Sequence, residues 1–132
     1  MIKLVSTTAF LLLAGLMAPA LSDEITRTVA AGKRTLVGSY GFYSSYSCQP
    51  QAVPEGAVGR APQNGRFEFA LEQRQMKVEK CGNITIWVRA VYYVPKPGFR
   101  GTDSGSVNYI YNTFSEGHET SNSSQYYRLT VR

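Results

Sequence analysis

Ile84-Thr85-Ile86-Trp87-Val88-Arg89-Ala90-Val91-Tyr92-Tyr93-Val94 is the longest β-prone run of the chain. β-Branched and aromatic residues dominate it, and strand parity divides it into two faces. Ile84, Ile86, Val88, Ala90, Tyr92 and Val94 share one face, and Thr85, Trp87, Arg89, Val91 and Tyr93 share the other. Both faces carry bulk, which predicts a central strand of a layered sheet protein. Upstream, Phe67, Phe69 and Leu71 alternate with charged residues, and Met76 and Val78 alternate with Gln75, Lys77 and Glu79. These read as two strands with a short turn around Gln73-Arg74. Downstream, Val107, Tyr109 and Tyr111, then Tyr127, Leu129 and Val131, repeat the same period. Leu36 to Tyr43 is β-prone too, with Gly38 and Gly41 predicting a bend or bulge.

Turn residues separate these runs: Ala31-Gly32, Pro54-Glu55-Gly56, Pro62-Gln63-Asn64-Gly65, Cys81-Gly82-Asn83, Pro97-Gly98 and Glu116-Gly117. No segment carries a helical stripe. About seven short strands at this spacing predict an all-β antiparallel sandwich or small barrel. Ser115 to Gln125 is polar throughout and reads as a loop.

The 132 residues leave room for one domain, because the first twenty read as an export signal. Lys3 gives a positive start, Leu4 to Ala18 is apolar, and Ala18-Pro19-Ala20 offers small residues for cleavage after Ala20. The expected organisation is therefore a signal over 1–20 and a single domain over 21–132, exported to the periplasm or cell surface. No second apolar run is long enough to span a membrane. Cys48 and Cys81 are the only cysteines. An even count in an exported chain predicts one disulfide. A catalytic thiol would have His118 as its sole candidate base, and a zinc site would lack ligands.

Two further stretches carry a resemblance. Ala61-Pro62-Gln63-Asn64-Gly65-Arg66-Phe67 is similar to the proline-turn-glycine strand entry of bacterial immunoglobulin-like and cadherin-like surface repeats. Tyr93-Val94-Pro95-Lys96-Pro97-Gly98-Phe99-Arg100-Gly101-Thr102-Asp103-Ser104 resembles their Y-x-P-x-x-G-F-x-G-x-D turn. The order and separation of the two also fit. More closely, the chain resembles small exported alphaproteobacterial single-domain proteins with one cysteine before the first motif and one between the two. The resemblance implies an immunoglobulin-like β-sandwich of about seven strands. Physically, Pro95 and Pro97 stiffen the exit from the long strand, and Gly98 and Gly101 permit unusual backbone angles. Phe99 can plug one end of the sandwich, and Asp103 can accept backbone hydrogen bonds. The family pattern runs from Asp-Ser directly into an aromatic strand. Here Gly105-Ser106 intervene, which leaves the register of that strand open.

The residue inventory is poor in catalytic chemistry. There is one histidine, Asp23 and Asp103 are the only aspartates, and no nucleophile elbow or phosphate loop occurs. Glu68, Glu72 and Glu79 alternate with apolar residues as solvent-facing strand positions, and Glu116-Gly117-His118-Glu119 reads as solvated loop. The expectation is a non-enzymatic chain with no metal and no cofactor. Of 14 basic residues one, Lys3, lies in the signal; against 9 acidic residues the rest leave a net charge of +4. Scattered as they are, they suit an anionic envelope polymer or another envelope protein better than nucleic acid. Trp87, Arg89 and Tyr93 form a candidate binding row on one face of the long strand. The alternative is a small periplasmic inhibitor of a lysozyme-type enzyme, with Ser115–Gln125 as the segment entering the cleft.

Overall fold

The computed structural model describes residues 23–112 and 120–132. The expected export signal, and Glu116, His118 and Glu119, lie outside the described residues. Seven strands make up the domain: β1 (Glu24–Val29), β2 (Thr35–Tyr40), β3 (Glu55–Arg60), β4 (Gly65–Val78), β5 (Gly82–Pro95), β6 (Gly101–Asn112) and β7 (Thr120–Val131). They form two sheets, ordered β1-β7-β6-β3 and β2-β5-β4. The second, fifth and fourth strands face the third, sixth and seventh, as in the seven-strand immunoglobulin arrangement. The first strand has moved to the far sheet, where it pairs with β7 in parallel, Ile25 opposite Tyr127 and Val29 opposite Val131. The antiparallel expectation is corrected for that pair alone. The other four pairings are antiparallel.

β5 is the central strand of its sheet, as its two bulky faces require. Val91 and Tyr93 on its inner face are fully buried against Val107, Tyr127 and Leu129 of the opposite sheet. Burying one such apolar side chain contributes roughly 1.5–3 kcal/mol. Gly105, in the stretch whose register the motif leaves open, is an ordinary member of β6 opposite Tyr127. A Cβ there would lie 2.7 Å from the Phe67 ring and 2.8 Å from the Arg60 carbonyl, so close packing excludes a larger residue. The bend expected near Gly38 is a register shift between Leu36 and Gly38 on β2.

Two expectations fail. β4 runs unbroken for 14 residues, so no turn occurs at Gln73-Arg74. The chain reverses instead through Glu79-Lys80-Cys81, where Gly82 takes φ 68°. Residues 120–125 of the expected polar loop lie in β7, paired with β6 from Asn112 to Val107.

Cys48 and Cys81 form the predicted disulfide. It joins the β2–β3 connection to the turn of the β4–β5 hairpin. Cys48 is held at φ 57° by a local turn in which its amide donates to the Ser44 carbonyl across 2.8 Å. Among the described residues no helix is long and apolar enough to cross a membrane.

Candidate binding face

The β4–β5 hairpin changes character along its length. Phe67 and Phe69 on its inner face are buried or half-buried, but Leu71, two residues on, is 51% exposed. On β5 the same transition runs from Tyr93 and Val91, fully buried, through half-buried Arg89 to Trp87 at 43% exposed. The facing sheet thus stops covering this surface near Leu71 and Arg89, which sit opposite each other. Beyond that pair the covered face is the other one. Ile86 and Val88 are buried on the outer side, where Gly41 of the β2–β3 connection packs against both. The disulfide fastens that connection to the hairpin's end. The result is a braced arm whose inner face is open.

Strand parity sorts the arm's charges. Glu68, Glu72 and Arg74 fall on the outer face with Tyr92. There Glu68 pairs with Arg34 and Arg66, and Glu72 pairs with Arg74 at 3.3 Å. Tyr92 donates its hydroxyl to Glu72, and the Arg34 guanidinium stacks 3.6 Å over its ring. The hydrogen bond to Glu72, with some help from burial, raises the Tyr92 pKa. The expectation of simple solvent-facing glutamates is thus refined, since Glu68 and Glu72 are half-buried ion-pair members and only Glu79 is exposed.

The open inner face presents Leu71, Gln73, Gln75 and Lys77 from β4. Opposite them stand Arg89, Trp87, Thr85 and Asn83 from β5. This strip holds an indole, an aliphatic side chain, three amides, a hydroxyl and two cations, with no carboxylate. Arg89 is oriented by its Nε, which donates to the carbonyl of buried Pro54 across 3.1 Å.

Of the expected row, Trp87 and Arg89 therefore share an accessible face and Tyr93 does not. Tyr93 is corrected from a binding residue to a core residue. The reason is its position at the covered end of β5, opposite Phe67. Its hydroxyl donates to Asp103 Oδ2 across 2.7 Å. Burial, then that hydrogen bond, pushes the phenol well above its ordinary pKa of 10.0. Leu71, Gln73, Gln75, Lys77, Asn83 and Thr85 join this face without a motif in the sequence to mark them. An unbroken β4 would have placed the first four on Trp87's face by parity alone.

The turn after β5 performs the structural tasks its residues suggest. Gly98 and Gly101 take φ 80° and 132°. Pro95 is buried, Pro97 is exposed, and Phe99 packs partly buried against the core. Asp103 accepts from the amides of Gln63 and Asn64 at 3.1 and 3.0 Å, and from the Ser104 amide at 2.9 Å. The two motifs are thereby fastened to each other. Among the described residues no group of three histidine, cysteine or acidic side chains is placed to share a metal ion. No protein family, curated protein or solved structure matches this chain.

Proposed function

We propose that the chain is a non-enzymatic binding module exported to the periplasm or cell surface, whose arm holds an anionic envelope polysaccharide. The carrying observation is the acid-free inner strip of the β4–β5 arm. A flat indole beside Leu71 suits the apolar face of a sugar ring, and the amides of Gln73, Gln75 and Asn83 suit its hydroxyls. Lys77 and Arg89 supply attraction to acidic groups, while the acidic partners are confined to the outer face. Export is supported by the N-terminal pattern and by the disulfide, which persists in oxidising compartments. Most buried polar groups of the sandwich are engaged in structural bonds, above all Asp103 with its four donors.

Co-sedimentation of the processed protein with purified peptidoglycan sacculi tests the reading. Retention at low salt should fall steeply as ionic strength rises and the Debye length shrinks from about 10 Å at 0.1 M to about 3 Å at 1 M. Trp87→Ala should abolish retention without lowering the melting temperature. Failure of the wild type to sediment at any salt would reject the polysaccharide. The projection of a braced arm also fits the inhibitor reading, with this arm in place of Ser115–Gln125 as the inserted element. Loss of lysozyme activity on adding the protein would favour that second reading.

A further inference from the structure

β1 and β2 are the outer strands of their two sheets, bridged where Arg27 Nε donates to the Val37 carbonyl across 3.2 Å. A cleft of about 370 Å³ lies there, at the small end of the range for ligand pockets. Arg27 and Arg74 reach it from opposite sheets, Ile25 and Leu36 give it apolar walls, and Tyr109 and Tyr127 lie within it. Among the described residues neither Asp nor Glu lines it.

Tyr109 is 3% exposed, and its hydroxyl is buried with no hydrogen-bond partner among the described residues. An orphaned phenol of this kind costs stability unless something completes it. Burial, then the neighbouring Tyr127 and Tyr40 hydroxyls, raise its pKa far above the ordinary value, so it remains a proton donor. Tyr127 stands beside it; burial raises its pKa, against the opposing pull of the Tyr109 hydroxyl and then of the Arg27 charge.

We infer that this cleft binds a small amphiphilic carboxylate. The anion sits between Arg27 and Arg74, an acceptor oxygen completes the Tyr127–Tyr109 phenol pair, and the apolar body lies on Ile25 and Leu36. Arg27 and Arg74 select the charge, Arg74 while shared with Glu72 at 3.3 Å on the outer side. The Tyr109 hydroxyl is a buried donor beside Tyr127, with no hydrogen-bond partner in reach among the described residues. This site is separate from the arm, since none of Leu71, Gln73, Trp87 or Arg89 lines it.

The test titrates the processed protein with hexanoate and benzoate, and with hexanamide and benzamide as neutral counterparts, following backbone amide resonances. Saturable shifts in β1 and β2 are expected with the carboxylates, and binding about tenfold or more weaker with the amides, the worth of a charge-assisted hydrogen bond. Arg27→Gln should weaken carboxylate binding by a similar factor, and Arg100→Gln and Trp87→Ala should not. Tyr109→Phe should melt at the same temperature as the wild type or higher, because it removes an unpaired hydroxyl, and yet bind more weakly. Absence of saturable carboxylate binding, equal binding of the amides, or undiminished affinity in Tyr109→Phe would each overturn the inference. Loss of carboxylate binding in Trp87→Ala would do the same, by moving the site to the arm.

Discussion

The hydroxyl of Tyr93 on β5 donates to the carboxylate of Asp103 on β6 across 2.7 Å, joining the two sheets through a buried polar contact. The same carboxylate accepts the Gln63 and Asn64 amides of the turn that leads into β4. Three separate segments thus converge on one side chain. Tyr93→Phe should therefore destabilise the domain by about 1.5–3 kcal/mol, the range for a hydrogen bond to a charged acceptor. Asp103→Ala should cost more, because it also removes the acceptor of three backbone amides. Denaturant unfolding with unchanged slope measures both, and a Tyr93→Phe protein as stable as the wild type would show the contact to be dispensable.

Alkaline stability follows from the buried phenols. Tyr93, Tyr109 and Tyr127 all have folded pKa values raised above 10.0, with burial as the leading cause. The folded state then holds protons that the unfolded chain releases, so their stabilisation is complete below about pH 10 and lost as pH rises beyond it. Each phenol held neutral should steepen the decline by about 1.4 kcal/mol per pH unit. Spectrophotometric titration near 295 nm should show these tyrosines ionising only with unfolding. Ionisation of every tyrosine near pH 10 in a folded protein would contradict this.

The disulfide encloses a separation of 33 residues, for which loop entropy gives about 3–4 kcal/mol. Reduction, or Cys48→Ser with Cys81→Ser, should cost that order in unfolding free energy. It should also release the β2–β3 connection from Ile86 and Val88, raising amide exchange in both segments. A reduced protein with unchanged exchange there would show that the bridge does not brace the arm.

Gly105→Ala probes the packing of the two sheets directly. The added methyl would press on the Phe67 ring and the Arg60 carbonyl, and overpacking of this kind costs about 1–3 kcal/mol. Thermal melting measures it, and an unaltered midpoint would mean that β6 has room to move.

What could be read from the sequence, and what could not, follows the reach of local chemistry. β5 is legible because β-branched and aromatic residues fill both its faces, and the turn beyond it because two glycines with positive φ stand where only glycine is easy. β1 and β3 are not legible. Only Val29 of β1 is buried, and β3 contains Gly56 and Gly59 and buries no side chain fully. The break expected at Gln73-Arg74 has an instructive origin. Apolar alternation fades there because the inner face of β4 meets solvent, not because the chain turns, and no glycine, proline, asparagine or aspartate supports a turn. The exchange of covered faces between Val88 and Val91 depends on the β2–β3 connection crossing the outer side. No periodicity within β5 encodes where that connection runs. For the same reason Trp87 and Tyr93, equal in parity, differ wholly in exposure.

Trp87 is the only tryptophan in the chain, so its fluorescence reports on the proposed binding face without interference. Titrating residues 21–132 with soluble peptidoglycan fragments at low salt is the most direct test of the arm as a polysaccharide site. A saturable change in emission, reversed by adding salt and weakened in Lys77→Gln, is the predicted result. Unchanged Trp87 emission while the protein demonstrably holds the fragments would contradict the account, because the glycan would then be bound elsewhere.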